Sequence, residues 1–159
     1  MGDSAGGGLV LLTVQTLLSR QIPAPRGVIV LSPWTDVSVS GDSYTRNAKI
    51  DVLLNPKITE WIAPLLLHPK DVNLPLNNPL LSHLFGSFTG FSPMYVVVGT
   101  AEILEDDSRA VVKKAQEAGV DVTFEEGLHL MHTYPLFFPY FPEARNTLHN
   151  IHQWIESLK

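Results

Sequence analysis

A serine flanked by glycines near the start of the chain has the surroundings of a nucleophile. Gly2-Asp3-Ser4-Ala5-Gly6 fits the pattern Gly-x-Ser-x-Gly, in which the serine occupies a tight turn between a strand and a helix. We expect both glycines to let this turn close without a Cβ clash. The helix dipole would favour negative charge beside Ser4, and the backbone N–H of Ala5 would donate to an oxyanion. The alternative is that Asp3 or Ser4 only caps the helix.

A nucleophilic serine needs a base, and the base needs a third group that orients it. Glu102 follows a predicted strand at residues 94–98, and His132 lies in the loop after a predicted strand at 122–125. Both fall at the carboxyl ends of strands, where ligands bind in open α/β sheets. The order Ser4, Glu102, His132 therefore predicts a catalytic triad. Rivals for the base and the acid lie close by in the sequence: His129, Glu105, Asp106 and Asp107.

The hydrophobic pattern predicts the elements that would position these residues. Residues 9–18 are apolar nearly all round, as in a buried helix, and this helix should end near Ser19 or Arg20. No strand is predicted to lead into it. A short continuous apolar run rich in β-branched residues at 27–31 is typical of a parallel strand covered on both faces, and residues 94–98 and 122–125 are the next two predicted strands.

Two further helices complete the predicted α/β alternation. One should be capped by Asp106 or Asp107 and run to about Ala118 before Gly119. The other spans residues 143–158, with one apolar face made of Ala144, Leu148, Ile151, Ile155 and Leu158. Strands that alternate with helices imply right-handed crossovers and a parallel sheet. The fold class predicted is thus α/β, with helices flanking a parallel sheet.

The stretch between the first two predicted strands is long and irregular. Residues 35–91 contain repeated prolines, and only residues 57–67 look helical there. Long connections of this kind are commonly lids or binding insertions. We therefore interpret residues 1–159 as part of one domain, with residues 35–91 as a cap-like insertion.

Composition excludes several classes of protein. The 11 Lys and Arg against 16 Asp and Glu give a net charge of −5, which argues against nonspecific nucleic-acid binding. With 45% hydrophobic and 17% charged residues the chain can bury a core. The absence of cysteine excludes a disulfide scaffold, a thiolate metal site and a cysteine nucleophile. No apolar stretch approaches the roughly 18 to 20 residues of a membrane span, and a cytoplasmic location is the default expectation.

Five sequence blocks together resemble the hormone-sensitive-lipase-like family of α/β-hydrolase esterases. They are GDSAGG at 2–7, LSPWTD at 31–36, VGTAEILED at 98–106, AGV at 118–120 and HTY at 132–134. The resemblance extends over nearly the whole chain. It implies a carboxylester hydrolase that acts on small esters of short to medium acyl chains, without metal or cofactor.

The resemblance also implies a role for each candidate residue. Ser4 is the expected nucleophile, and Glu102 the triad acid at a position more often held by Asp. His132 is the expected base, because the histidine of the family is followed two residues later by an aromatic residue, here Tyr134. The substrate pocket would include Asp3, Trp34, Trp61 and Phe88, with Trp61 in the helix of the cap.

One block of the family is missing from the sequence. Its members carry a His-Gly-Gly-Gly loop upstream of the serine that supplies further oxyanion donors, and nothing similar precedes Ser4. The expectation is therefore the C-terminal half of such an esterase, without its N-terminal strands, able to self-associate or to pair with the missing half. Two alternatives stay open, which are a ligand-binding relative without turnover and a serine peptidase of the same fold.

Overall fold

A parallel sheet forms the centre of the protein. The structure is a computed structural model that describes residues 1–57, 62 and 74–158. Within these residues the sheet has four strands in the order β1-β2-β3-β4, each parallel to its neighbour. The strands are β1 Gly2–Asp3, β2 Val28–Leu31, β3 Met94–Gly99 and β4 Val122–Gly127. The last three agree with the three strands predicted from the sequence.

Helices connect and cover these strands. They are α1 Ser4–Ser19, α2 Ser43–Arg46, α3 Glu105–Glu117 and α4 Pro142–Ser157, with short 3-10 turns at His83–Phe85 and Tyr134–Phe137. The end of α1 agrees with the sequence prediction. Gly119, with φ of 80°, takes the left-handed conformation beyond α3, as expected for a helix terminator.

Side chains alternate across the strands and build two apolar layers. Val30 of β2 and Val96 of β3 face one side, where they pack with Leu11 of α1 and Val111 of α3. The opposite face of the sheet packs against α4. Leu31, Ile29, Tyr95 and Val97 of the strands contribute to this layer, together with Ala144 and Ile151 of the helix. The sheet is thus covered on both faces, which explains why β2 and β3 are apolar at nearly every position.

The sheet contains one strand more than predicted. Gly2 pairs with Val30 and Asp3 pairs with Leu31, so β1 is a two-residue strand that leads directly into α1. The expectation of a first helix without a strand before it was therefore wrong. Glycine and aspartate are poor strand formers, and a strand of two residues has no apolar run that could reveal it.

The predicted cap of α3 was also wrong. The N-cap position is Leu104, and no side chain caps the helix. The carboxylate of Asp107 instead accepts the N–H groups of Thr35 and Asp36, at 2.8 and 2.9 Å. The Asp106 backbone N–H donates to the hydroxyl of Ser43, 3.1 Å away. The first turn of α3 is therefore held by contacts with residues that follow β2 and not by a capping side chain of its own.

The predicted apolar face of α4 holds only in part. Ala144 and Ile151 are buried, whereas Ile155 is 45% exposed. Thr147, a polar residue on the same helix, is buried because its hydroxyl bonds to Tyr134 and Glu125. Most of the predicted helix at 57–67, including Trp61, lies outside the described residues. No helix in the described part of the chain is long and apolar enough to cross a membrane.

Candidate active site

The candidate residues lie at one edge of the sheet. Ser4 follows β1 directly, Ser32 follows β2, Glu102 comes shortly after β3 and His132 lies in the loop after β4. Because the strands are parallel, their carboxyl ends share one edge, the usual position of ligand sites in such sheets. Each strand thus delivers one polar side chain to the same region.

Ser4 occupies a strained turn. Its φ is 50°, in the left-handed region that residues other than glycine rarely adopt. A Cβ on Gly2 would lie 2.4 Å from the carbonyl oxygen of Gly6, so the turn requires glycine there. A Cβ on Gly6 would meet no atom within 4 Å, and the clash expected at that position was therefore wrong. The chain closes because Gly2 lies over the carbonyl of Gly6, whose own Cα faces open space.

Glu102 and His132 are buried and in contact. Nδ1 of His132 lies 3.4 Å from Oε1 of Glu102, and their exposures are 5% and 0%. Since an ionised carboxylate only accepts, Nδ1 must carry the proton in this contact, which leaves Nε2 free to act as a base. The Ser4 hydroxyl, in contrast, has no hydrogen-bond partner among the described residues.

The second oxygen of Glu102 is held by two donors. The Ser32 hydroxyl donates to Oε2 at 2.8 Å, and the Gly99 N–H lies 3.3 Å from it. Burial raises the pKa of Glu102, while hydrogen bonds from His132 and Ser32 act in the opposite direction. These donors stabilise the negative charge of Glu102, whereas burial of the carboxyl group favours its neutral form.

The loop that carries His132 comes very close to β3. A Cβ on Gly99 would lie 2.2 Å from the carbonyl oxygen of Leu130, so glycine is needed for this approach. The Ala101 N–H also donates to that carbonyl, at 3.0 Å. The loops that carry the acid and the base are therefore locked to each other.

The rivals of the acid and base have other roles. His129 is exposed, and its backbone N–H donates to the Thr100 hydroxyl. The rival carboxylates all have partners of their own: Glu105 pairs with Arg46 and Arg109, Asp106 with Arg46, and Asp107 with the backbone of Thr35 and Asp36. No group of three or more His, Asp or Glu side chains in the described ranges could hold a metal ion.

A mainly apolar cavity of about 390 Å³ opens beside the serine turn. Its lining includes Ala5, Gly6, Leu9, Trp34 and Val37. Phe88, predicted for the pocket, is absent from this lining, because it is 3% exposed and packs against Phe91 in the core. Asp3 is exposed at the end of β1, and Trp61 lies outside the described residues.

Two residues that lie near Glu102 were not predicted as site residues from the sequence. Ser32 was noted only as part of the LSPWTD block, although a serine directly after an apolar strand was a usable signal. Asn47 gave no signal, because its contacts are distant in sequence. Its buried amide donates to the carbonyl of Glu102 at 2.8 Å and to the Glu105 carboxylate at 2.9 Å. It ties the segment after α2 to the loop that carries Glu102.

The fold and this edge of the sheet define an α/β hydrolase. The sequence profile described as the α/β hydrolase fold matches residues 1–136, and the chain belongs to this family, in its hormone-sensitive-lipase-like branch. A crystal structure of an esterase from the bacterial hormone-sensitive lipase family superimposes with a TM-score of 0.92 at 35% identity, over 99% of this chain and 52% of the other. A hormone-sensitive lipase from a metagenome library gives a TM-score of 0.90 at 28% identity, over 99% of this chain and 53% of the other. The predicted family and fold class are confirmed.

Curated relatives agree with this assignment. An acetyl-hydrolase of Streptomyces hygroscopicus is 35% identical over 147 residues, which are 92% of this chain and 48% of that protein. An esterase of Acinetobacter venetianus is 32% identical over 157 residues, 99% of this chain and 51% of that protein. The chain thus spans about half the length of the curated relatives that it matches.

Proposed function

We propose that the protein hydrolyses carboxylic esters, with Ser4 as nucleophile, His132 as general base and Glu102 as the group that orients His132. The observation that carries the proposal is the contact between Glu102 and His132 at the strand edge that also presents Ser4. A buried carboxylate against a buried imidazole, at the same sheet edge as a serine on a strained turn, is an arrangement suited to acyl transfer.

The reaction proceeds in two halves. Oγ of Ser4 attacks the ester carbonyl while Nε2 of His132 takes the hydroxyl proton, and Glu102 stabilises the imidazolium that forms. The N–H of Ala5, in the first turn of α1, has no acceptor within the helix and donates to the tetrahedral oxyanion. His132 returns the proton to the leaving alcohol. Water activated by the same His132 then attacks the acyl-enzyme and releases the acid and Ser4.

The names of the relatives and the cavity support small esters as substrates. Besides the acetyl-hydrolase, an ethyl acetate hydrolase of Pseudomonas putida is 29% identical over 126 residues. The cavity beside Ala5 is lined largely by apolar side chains, which suits an acyl chain and offers little to a charged group. Short to medium acyl chains are the substrates that we propose.

Hydrolysis of p-nitrophenyl acetate and butyrate tests the proposal. We expect turnover by the folded protein and a loss of at least about 1,000-fold in kcat for Ser4→Ala. Ser19→Ala is the matched control, because Ser19 lies at the far end of α1, where its exposed hydroxyl bonds only to Thr16. Binding of esters without turnover would instead favour a ligand-binding protein, and faster cleavage of p-nitroanilides than of esters would favour a peptidase.

A further inference from the structure

Ser32 is a buried polar residue that the proposed mechanism does not use. It stands directly after β2 and is 0% exposed. Its φ is 46°, so it is held in the left-handed region although it is not glycine. Backbone strain of this kind persists where the surrounding structure holds the residue in place, and it often marks functional sites.

The Ser32 hydroxyl joins the loops of the acid and the base. It donates to Oε2 of Glu102 at 2.8 Å and accepts the backbone N–H of Thr133 at 3.0 Å. An N–H only donates and an ionised carboxylate only accepts, so the hydroxyl proton points to Glu102. Thr133 directly follows His132. One hydroxyl therefore connects the triad acid to the backbone beside the triad base.

We propose that Ser32 is a positioning residue that fixes the Glu102 carboxylate and the His132 loop in a single arrangement. The inference rests on the proposed function, since it gives Ser32 its role in that reaction. With Oε2 held by Ser32 and by the N–H of Gly99, Oε1 is the oxygen left to face His132. Rotation of the carboxylate away from His132 would break both bonds to Oε2.

Other groups around Glu102 have partners of their own. Tyr134, in the loop of His132, bonds through its hydroxyl to Thr147. Asp51 accepts the N–H of Ile103, and Glu105 pairs with Arg46 and Arg109. Ser32 and the Gly99 N–H are the donors to Oε2 among the described residues, and the Gly99 bond is the longer of the two. No other side chain there replaces the hydroxyl.

Kinetics of Ser32→Ala give the first test. A hydrogen bond to a charged group is typically worth a factor of about 10 to 100, so kcat on p-nitrophenyl acetate should fall by that factor with KM nearly constant. A carboxylate that loses a donor holds its proton to higher pH. Because the proposed mechanism needs Glu102 charged beside His132, the acidic limb of the pH profile of kcat/KM should move to higher pH.

Ser43→Ala is the matched control. Ser43 is also 0% exposed, and its hydroxyl likewise donates once, to the Ile103 carbonyl at 2.6 Å, and accepts one backbone N–H, that of Asp106 at 3.1 Å. It touches the same loop but not the Glu102 carboxylate. We expect a comparable loss of stability and no movement of the acidic limb. A purely structural role of Ser32 would make the two variants alike.

Carbon-13 NMR titration of the Glu102 carboxyl carbon, assigned by its loss in Glu102→Gln, needs no turnover. Ser32→Ala should move this titration to higher pH. If the wild type proves inactive, the proposed function fails while this shift still reports the coupling. If Ser32→Ala does not fold, Ser32→Gly removes the same hydroxyl without strain at a φ of 46°. A Glu102 titration that is unchanged in the folded variant, or equally shifted by Ser43→Ala, would overturn the proposal.

Discussion

Glu102 shows how single contacts define the chemistry of this site. A carboxylate with no exposure would ordinarily take up a proton, and burial does raise the pKa of Glu102. Three donors, from His132, Ser32 and Gly99, oppose this effect. These donors favour the charged form of the acid, which the imidazolium needs beside it during the reaction.

Replacing Glu102 by Gln tests this role. The variant keeps the shape but removes the charge and can hold the wrong tautomer of His132, so kcat should fall about 1,000- to 10,000-fold. Asp106→Asn, at a rival carboxylate that pairs with Arg46, should cost less than about 10-fold. Steady-state kinetics on p-nitrophenyl acetate measure both. The reverse ranking would mean that the acid has been misassigned.

At the level of elements, the apolar pattern predicts the main strands and helices but not the contacts between residues distant in sequence. β2 and β3 could be placed from the sequence because strands buried on both faces are continuous apolar runs. α1 could be placed from its apolar stretch, and β4 could be placed although it is only partly buried. β1 and the first turn of α3 could not, since they depend on partners distant in sequence. For the site, chain order and family blocks indicated Glu102 and His132, but the role of Ser32 required the geometry of neighbouring strands.

The serine turn gives a sharp test at this level. Gly2→Ala would force a Cβ to within 2.4 Å of the Gly6 carbonyl, so we expect a loss of at least about 2 kcal/mol in the free energy of unfolding. Gly6→Ala is the matched control. Its Cβ meets nothing within 4 Å and alanine favours helix, so stability should stay equal or rise by up to about 1 kcal/mol. Urea denaturation compares the two, and equal losses would contradict the turn geometry.

The contact of Asp107, in α3, with the backbone of Thr35 and Asp36 should make the stability of the protein depend on pH. Desolvation by burial raises the pKa of Asp107 to about 7 despite its bonds from Thr35 and Asp36. The folded state therefore binds this proton more tightly than the unfolded state, and stability falls as pH rises from about 4 to about 7. Asp107→Asn should reduce the change in the free energy of unfolding over this pH range, by at most about 4 kcal/mol. Denaturation midpoints are measured across this pH range for both proteins. If the midpoints of wild type and variant change with pH in the same way, the expectation is contradicted.

For the molecule as a whole, β1 forms an outer edge of the sheet that the described residues build. In the described residues β1 pairs with β2 alone. Apolar side chains are exposed on this side, since Met1 is 66% exposed and lines a cavity together with Pro23, which follows Ile22, itself 45% exposed. Unpaired strand edges and apolar surface favour association. We propose that the chain of 159 residues, produced by itself, associates through this side.

Light scattering over a range of protein concentrations tests the association. The 159-residue chain should show a mass that rises with concentration, and Ile22→Lys should reduce this rise. Ile50→Lys is the matched control, since Ile50 is 53% exposed but lies after α2. A constant monomer mass for the wild type would remove this prediction and leave the site proposals unaffected.

Covalent labelling by a fluorophosphonate, followed by peptide mapping, shows whether Ser4 is an activated nucleophile. We expect a single adduct on Ser4 of the folded protein, formed stoichiometrically, absent in Ser4→Ala and slowed strongly in Glu102→Gln. No adduct on a folded sample, or an adduct on any other serine, would contradict the proposal that this chain carries an activated nucleophile.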